Sequence, residues 1–264
     1  AGIVPGELDI LDGSPPCQGF SLAGKRRDMD PRNDLFREYV RLLAYLRPRA
    51  FVMENVKGMI LGKFRARFAE IMGALRGAGY RVKAAVMDAA WYGVPQHRER
   101  TIIIGIRDDI GVESSHPAPT SVPVTVVRAL GDVRNDPDEV AWLLEKAKTS
   151  VTGKVHGLLR AGKSGAVVNK KKNWGARRIH PLRAAYTITR TDGNAGFAGQ
   201  MHWAEPRKLT VAEAARLTSF PDDFVFPPRK GTQSQAVEMI GNSVPPKLME
   251  AIARHVFKLI RRVI

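Results

Sequence analysis

The only cysteine in the chain, Cys17, lies in Gly13-Ser14-Pro15-Pro16-Cys17-Gln18-Gly19-Phe20-Ser21, directly after the apolar run Leu8 to Leu11. An apolar strand that breaks into Gly-Ser-Pro-Pro hands the next side chains to a loop at its carboxyl end. That is the edge at which open α/β sheets bind ligands. A thiol there reads as a nucleophile. The plain alternative is a buried thiol used as a small hydrophobe, but a core strand does not carry Pro-Pro and Gln-Gly. Glu54-Asn55-Val56 follows a second apolar run, Ala50 to Met53. Gln96-His97-Arg98-Glu99-Arg100 opens a third, Thr101 to Ile106. The link Ala89 to Glu99 is too short for a helical crossover and implies an antiparallel return. Arg98 and Arg100 then share one face by the two-residue period. A thiol, a carboxyl and two guanidiniums are thus expected on one rim. An ordinary ion-pair cluster of Glu54, Arg98 and Arg100 is the plain alternative.

The elements that must position these groups can be read from apolar periodicity. Leu8–Leu11 predicts a buried strand. Asp34 caps a predicted helix with Leu35, Phe36, Tyr39, Leu42, Leu43 and Leu46 on one face, ended by Pro48. Ala50–Met53 predicts the next strand. Phe64, Phe68, Ile71, Met72 and Leu75 form a second helical stripe, closed by Gly77 and Gly79. Tyr80–Met87 and Arg100–Ile106 are two further strands. Strands alternating with helices imply an α/β fold with a mostly parallel sheet flanked by helices. From Arg107 to about His180 the pattern fades; Ser121–Leu130 suggests a strand and Glu139–Lys148 a short helix. Thr210 with Glu213 is a capping-box pattern that starts another helix. Ser234 and Gly241 bound a further one. Pro245-Pro246 opens the last helix, with Leu248, Ala251, Ile252, Val256, Leu259 and Ile260 on one face. That helix is expected to pack back on the first domain.

At 264 residues the chain can hold one large domain or two small ones, and 44% hydrophobic residues suffice for a core. The formal net charge of +16 points to a polyanionic partner, nucleic acid first. One cysteine excludes internal disulfides and cysteine-based metal clusters, and the six histidines show no metal-ligand spacing. No metal is expected. No apolar run approaches transmembrane length and no signal peptide is visible, so no membrane association and a cytoplasmic location are expected.

Two further stretches complete the set: Arg216-Leu217-Thr218-Ser219-Phe220-Pro221-Asp222-Asp223-Phe224 and Gly241-Asn242-Ser243-Val244-Pro245-Pro246. With the three stretches above, in this order and at this approximate spacing, they resemble the cytosine-C5 DNA methyltransferase family. The resemblance runs from about Leu8 to Ile264. It implies methyl transfer from S-adenosylmethionine to C5 of a flipped-out cytosine in double-stranded DNA. It assigns Cys17 the attack on C6, Glu54 the proton donated at N3, provided its carboxyl is raised enough to carry one, and Arg100 the hold on O2. Arg98 is expected at a backbone phosphate or steadying the thiol loop. Pro16, Leu35, Asn242 and Ser243 match positions that line the methyl-donor site. The family's Gly-rich donor turn has no counterpart before Cys17, so its pattern begins in the middle here. A split enzyme with a second chain carrying that half, a fragment of a longer chain, and a binding-only relative all remain open. The intact Cys17, Glu54 and Arg98/Arg100 set argues against the last.

The resemblance places a catalytic domain at 1–130 and 232–264 and a target-recognition domain at 131–231, with DNA between them. Gln18 and Ser21 of the thiol loop, Lys25 and Arg26 of a lid-like stretch, and Lys170, Lys171, Lys172 and Arg177 of a basic run are expected to meet DNA. A solvated loop is the plain reading of both basic stretches. Two rival functions stand beside the main one: an RNA cytosine-C5 methyltransferase of the same fold, whose Cys-Phe-Thr signature is absent, and a non-catalytic DNA-binding subunit.

Overall fold

Ile10–Gly13 forms β1, Ala50–Val56 β2, Tyr80–Asp88 β3 and Glu99–Arg107 β4 in a computed structural model of the chain. The structure describes residues 2–15, 35–163, 177–189, 200–226 and 235–261. The sheet order is β1-β2-β4-β3. β1 and β2 pair in parallel, and β4 runs against both β2 and β3. Three of the four strands therefore share one direction, and the short link to β4 is the antiparallel return that its length implies. β1 starts at Ile10, two residues later than its apolar run. β2 continues through Glu54-Asn55-Val56, which the sequence puts beyond the strand. Its backbone finds partners in β4 all the way to Val56↔Arg100, so the polar side chains do not end it.

By contact density the chain falls into two units. The first comprises Ala1–Asp88, Glu99–Ala118 and Glu250–Ile264; the second comprises Ala89–Arg98 and Pro119–Met249. In the first unit, helices α1 (Leu35–Leu46) and α2 (Arg65–Gly77) cover one sheet face. Phe36, Tyr39, Leu43, Ile71, Met72 and Leu75 of the helices meet Phe51, Met53, Val82 and Ile103 of the strands. Leu35 and Leu42 of the predicted α1 stripe stay exposed. Gly105 faces the same core, where any Cβ would overlap the Phe51 ring. Val52, Ile102, Ile104 and Ile106 are buried on the other face. The last helix, α8, defined below, contributes its part from Glu250 onward to this unit, and Arg49 Nη2 donates to Ile260 O at 2.9 Å.

The second unit holds α3 (Val126–Leu130), α4 (Pro137–Thr149), α5 (Val151–His156), the short parallel pair β5 (Arg177–Arg178) and β6 (Gln200–Met201), α6 (Val211–Leu217) and α7 (Gln235–Asn242). Helix α8 (Pro246–Arg261) begins there and ends in the first unit. The strand expected within Ser121–Leu130 is instead α3, because Val126, Ala129 and Leu130 are buried at helical spacing. Asp136 caps α4 with Pro137 at its first turn, and Thr210 and Glu213 form the predicted capping box on α6. Glu213 is also the centre of a buried network. Arg207, 2% exposed, grips it with two hydrogen bonds of 2.8 and 2.9 Å. Burial alone would raise the Glu213 carboxyl, but the hydrogen bonds and charge of Arg207 outweigh it and hold it below its usual range. His202 Nδ1 accepts the backbone N–H groups of Ala204 and Glu205, so its ring proton sits on Nε2. Burial keeps that ring below its ordinary pKa despite the nearby Glu213.

Candidate active site

Glu54 and Arg100 meet at the carboxyl end of β2. Register pairs Glu54 with Ile102 and Val56 with Arg100, so both side chains fall on one sheet face. Arg100 Nε lies 2.8 Å from Glu54 Oε1, with the two side chains only 13% and 12% exposed. Arg100 Nη1 also donates to Glu99 O at 2.8 Å, which fixes the plane of the guanidinium. Beside them Lys57 Nζ reaches both Glu99 carboxylate oxygens at 2.7 and 2.9 Å, but this pair is far more exposed and worth correspondingly less. The outcome is a partly buried carboxyl held by a cation, at the edge where an α/β sheet binds ligands.

The approach to the thiol is built next to this pair. Asn55, 4% exposed, donates from Nδ2 to Pro15 O at 3.2 Å and accepts the Val56 N–H on Oδ1 at 2.7 Å. Tyr39 of α1 sets its hydroxyl 3.1 Å from Leu11 O and 3.0 Å from Val52 O, between β1 and β2. Its ring lies against Gly13, where any Cβ would strike it. That contact explains a glycine as the first residue of the Gly-Ser-Pro-Pro break. Asp12 pairs in register with Val52 and so shares the face of Glu54. Burial pushes its carboxyl up, the Gly13 N–H opposes this, and the Glu54 charge adds to the rise.

Arg98 has a different place from the one its spacing suggests. The ladder between β3 and β4 ends at Asp88↔Glu99, so Arg98 precedes the strand and belongs to the second unit. It is 2% exposed and donates from Nη1 to Ile188 O at 2.8 Å and from Nη2 to Gly241 O at 3.0 Å. Gln96 beside it accepts the Ile188 N–H at 2.8 Å and donates to Thr218 Oγ1 at 3.1 Å. Sequence reasoning missed Gln96, although it begins the Gln-His-Arg-Glu-Arg stretch. These bonds make Arg98 an internal tie between Ile188 and the last turn of α7. Arg98→Ala is expected to lower stability by roughly 2–4 kcal/mol, from charged hydrogen bonds lost in a buried place. Its DNA affinity measured on folded protein should keep the wild-type salt slope. A slope lowered by about one unit would instead mark a phosphate contact.

The remaining expected site residues are taken one by one. Leu35, the first residue of α1, is 40% exposed. Asn242 ends α7 and is exposed; Ser243 is half-buried, with its hydroxyl donating to Ile240 O at 2.9 Å. Arg177 is exposed and its guanidinium lies over the Tyr186 ring, 4.6 Å from the centroid. Pro16, Cys17, Gln18, Ser21, Lys25, Arg26, Lys170, Lys171 and Lys172 lie outside the described residues. Among the described residues no group of three or more His, Cys, Asp or Glu side chains could hold a metal ion. No helix among them is long and apolar enough to cross a membrane.

Residues 3–258 match the family described as C-5 cytosine-specific DNA methylase. The chain is 34% identical to the Type II methyltransferase M.XorII of Xanthomonas oryzae pv. oryzae, over 99% of the chain and 71% of that protein. It is 36% identical to the Type II methyltransferase M1.HphI of Haemophilus parahaemolyticus, over 96% of the chain and 69% of that protein. The solved structure of a candidate DNA modification methyltransferase from an Escherichia coli prophage superposes with a TM-score of 0.71 at 24% identity. The match covers 96% of this chain and 79% of that one, and it shows the shared fold. With a family match over nearly its whole length and two relatives above 30% identity, the chain belongs to the C-5 cytosine-specific DNA methylases, enzymes that use S-adenosylmethionine as methyl donor.

Proposed function

We propose that Cys17 and Glu54 carry the methylation of cytosine C5 in double-stranded DNA, with Arg100 as their cationic support. The observation that carries this reading is the ion pair of Glu54 and Arg100 at the carboxyl end of β2, partly buried and at 2.8 Å. Cytosine C5 is a weak nucleophile while the ring stays aromatic. The Cys17 thiolate adds to C6, forming the S–C6 bond and pushing electron density toward N3. Glu54 gives its proton to N3, and Arg100 binds the base at O2. C5, now enamine-like, takes a methyl group. S-adenosylmethionine, when bound, supplies that group as an electrophile on sulfonium. Loss of the C5 proton, return of the N3 proton to Glu54 and departure of the thiolate restore the aromatic ring. None of these steps needs a metal.

Leu35 and Asn242 both keep exposed surface, and the Ser243 hydroxyl retains acceptor capacity beyond its bond to Ile240 O. These residues fit a donor-binding role, with Pro16 as the fourth member. A base inside a duplex cannot reach a thiol in a pocket, so the target is flipped out. Residues 131–231 serve target recognition, while 1–130 and 232–264 serve catalysis. Gln18, Ser21, Lys25, Arg26, Lys170, Lys171, Lys172 and Arg177 contact the DNA. Arg98 takes the role of a positioning residue, since its Nη1 and Nη2 donate to backbone carbonyls. The enzyme acts in the cytoplasm.

The test is methyl transfer from labelled donor to duplex DNA and, in parallel, to tRNA. Label at C5 of cytosine in the duplex is expected. Label confined to tRNA would overturn the DNA reading in favour of the RNA enzyme of the same fold.

A further inference from the structure

We propose that the outer edge of β3 is a docking site for an extended segment of a partner protein, apolar on one face and acidic on the other. β3 ends the sheet order, and among the described residues no strand pairs with its outer side. In an antiparallel pair every second residue turns both its N–H and its C=O away from the neighbour. On β3 those groups point outward, as on any edge strand. A cavity of about 650 Å³ lies along them, and residues 82–86 all line it. Successive side chains of a strand point to opposite faces, so one cavity meets five residues in a row along the open edge and not on either face.

The two walls differ in chemistry. Phe68 and Met72 of α2 bound the cavity on the face that carries Val82 and Ala84. Lys83 belongs to the opposite face, with its Nζ 3.8 Å from Glu113. His116 also lines the groove, its Nε2 2.9 Å from Ile102 O. An entering strand would pair with the outward backbone groups of β3 and send alternate side chains toward α2. Charge selects which strand. No Asp or Glu lines the cavity, whereas Arg76 and Lys83 do. Arg76 is exposed, and the Lys83–Glu113 pair is exposed and worth little. Burial keeps His116 below its ordinary pKa, so the positive charge here belongs to the two long side chains. A second copy of this chain would bring the same cations and a net charge of +16, which opposes self-pairing. A segment with carboxylates on one face and apolar residues on the other matches both walls. β4 separates β3 from β2, so such an occupant sits apart from Glu54.

The probe is a labelled synthetic peptide of about six residues, a usual strand length, alternating valine and glutamate. It is titrated into the full chain, and amide hydrogen exchange locates it. We expect saturable binding and slowed exchange within residues 82–86. Arg76→Glu combined with Lys83→Glu should weaken binding about ten-fold, since two attractions become repulsions. Ala69, exposed on the α2 wall, carries the same test as Ala69→Glu if the double variant does not fold. A control peptide of the same composition holds its valines and glutamates in separate blocks. Equal binding of that control would overturn the proposal, because charge without alternation would then suffice. Unchanged affinity in the variants, or protection confined to other residues, would overturn it as well. No binding of the alternating peptide would do so too, and would leave Lys83 as a guard against edge pairing. A concentration-dependent dimer that protects residues 82–86 would make a second copy the occupant and overturn the choice made from charge.

Discussion

Cys17→Ala is expected to abolish methyl transfer and to leave affinity for duplex DNA largely intact. The two effects separate because the thiol forms and breaks a covalent bond, whereas docking on DNA is dominated by phosphate contacts from Lys and Arg. With 42 such residues against 26 Asp and Glu, removal of one neutral thiol leaves that electrostatic balance unchanged. Without the S–C6 bond the ring stays aromatic and C5 does not become nucleophilic, so neither Glu54 nor Arg100 can substitute. The measurement pairs single-turnover methyl transfer with a binding titration and a 5-fluorocytosine adduct assay. A gel-stable adduct in the Cys17→Ala protein would sink the assignment, since no second cysteine exists to form it.

Glu54→Gln should slow transfer by roughly 10²–10⁴, the range for a lost general acid. Glutamine is the informative replacement. Its carbonyl oxygen can still accept from Arg100 Nε where Glu54 Oε1 does now, at 2.8 Å, so the geometry of the pair survives. Only the ability to ionise, and with it to hold and release a proton, is lost. Glu54→Ala would confound this with an Arg100 left without its carboxylate partner in a half-dry place. DNA affinity should change little in Glu54→Gln, and the loss should appear in the single-turnover rate. A rate within a few-fold of wild type would show that the carboxyl is only the counter-ion of Arg100, the plain ion-pair alternative.

The strand that carries Glu54 was legible in its apolar run, which forms β2, whereas Cys17 lies outside the described residues. Amphipathic stripes likewise marked α1, α2 and α8, and Thr210 with Glu213 marked the start of α6. What the sequence did not show is set by tertiary partners. The two-residue period reaches Arg100 inside β4 but not Arg98, since pairing with Asp88 stops at Glu99. Two carbonyls distant in sequence, Ile188 and Gly241, then decide where Arg98 goes. No spacing rule could reveal them. The same is true of Gln96 and of the Asn55 bond to Pro15, whose partners are set by tertiary approach. The α3 segment failed for another reason. Its β-branched residues favour a strand, and burial at helical spacing overrides that weak preference.

The division of the chain has a consequence for making chimeras. The backbone passes between the two units four times, at 88/89, 98/99, 118/119 and 249/250. A designer who wished to exchange the second unit with that of a relative would naturally excise the long contiguous stretch 119–249. That cut would strand Ala89–Arg98 in the host, although its Gln96, His97 and Arg98 bond to residues of the excised piece at 185, 188, 218 and 241. The graft would arrive without its own foundation, and the host's ledge would meet foreign carbonyls. The ten-residue excursion between β3 and β4 should therefore travel with the donor module. Inheritance of the second unit is discontinuous in sequence even though its contacts make it one compact unit.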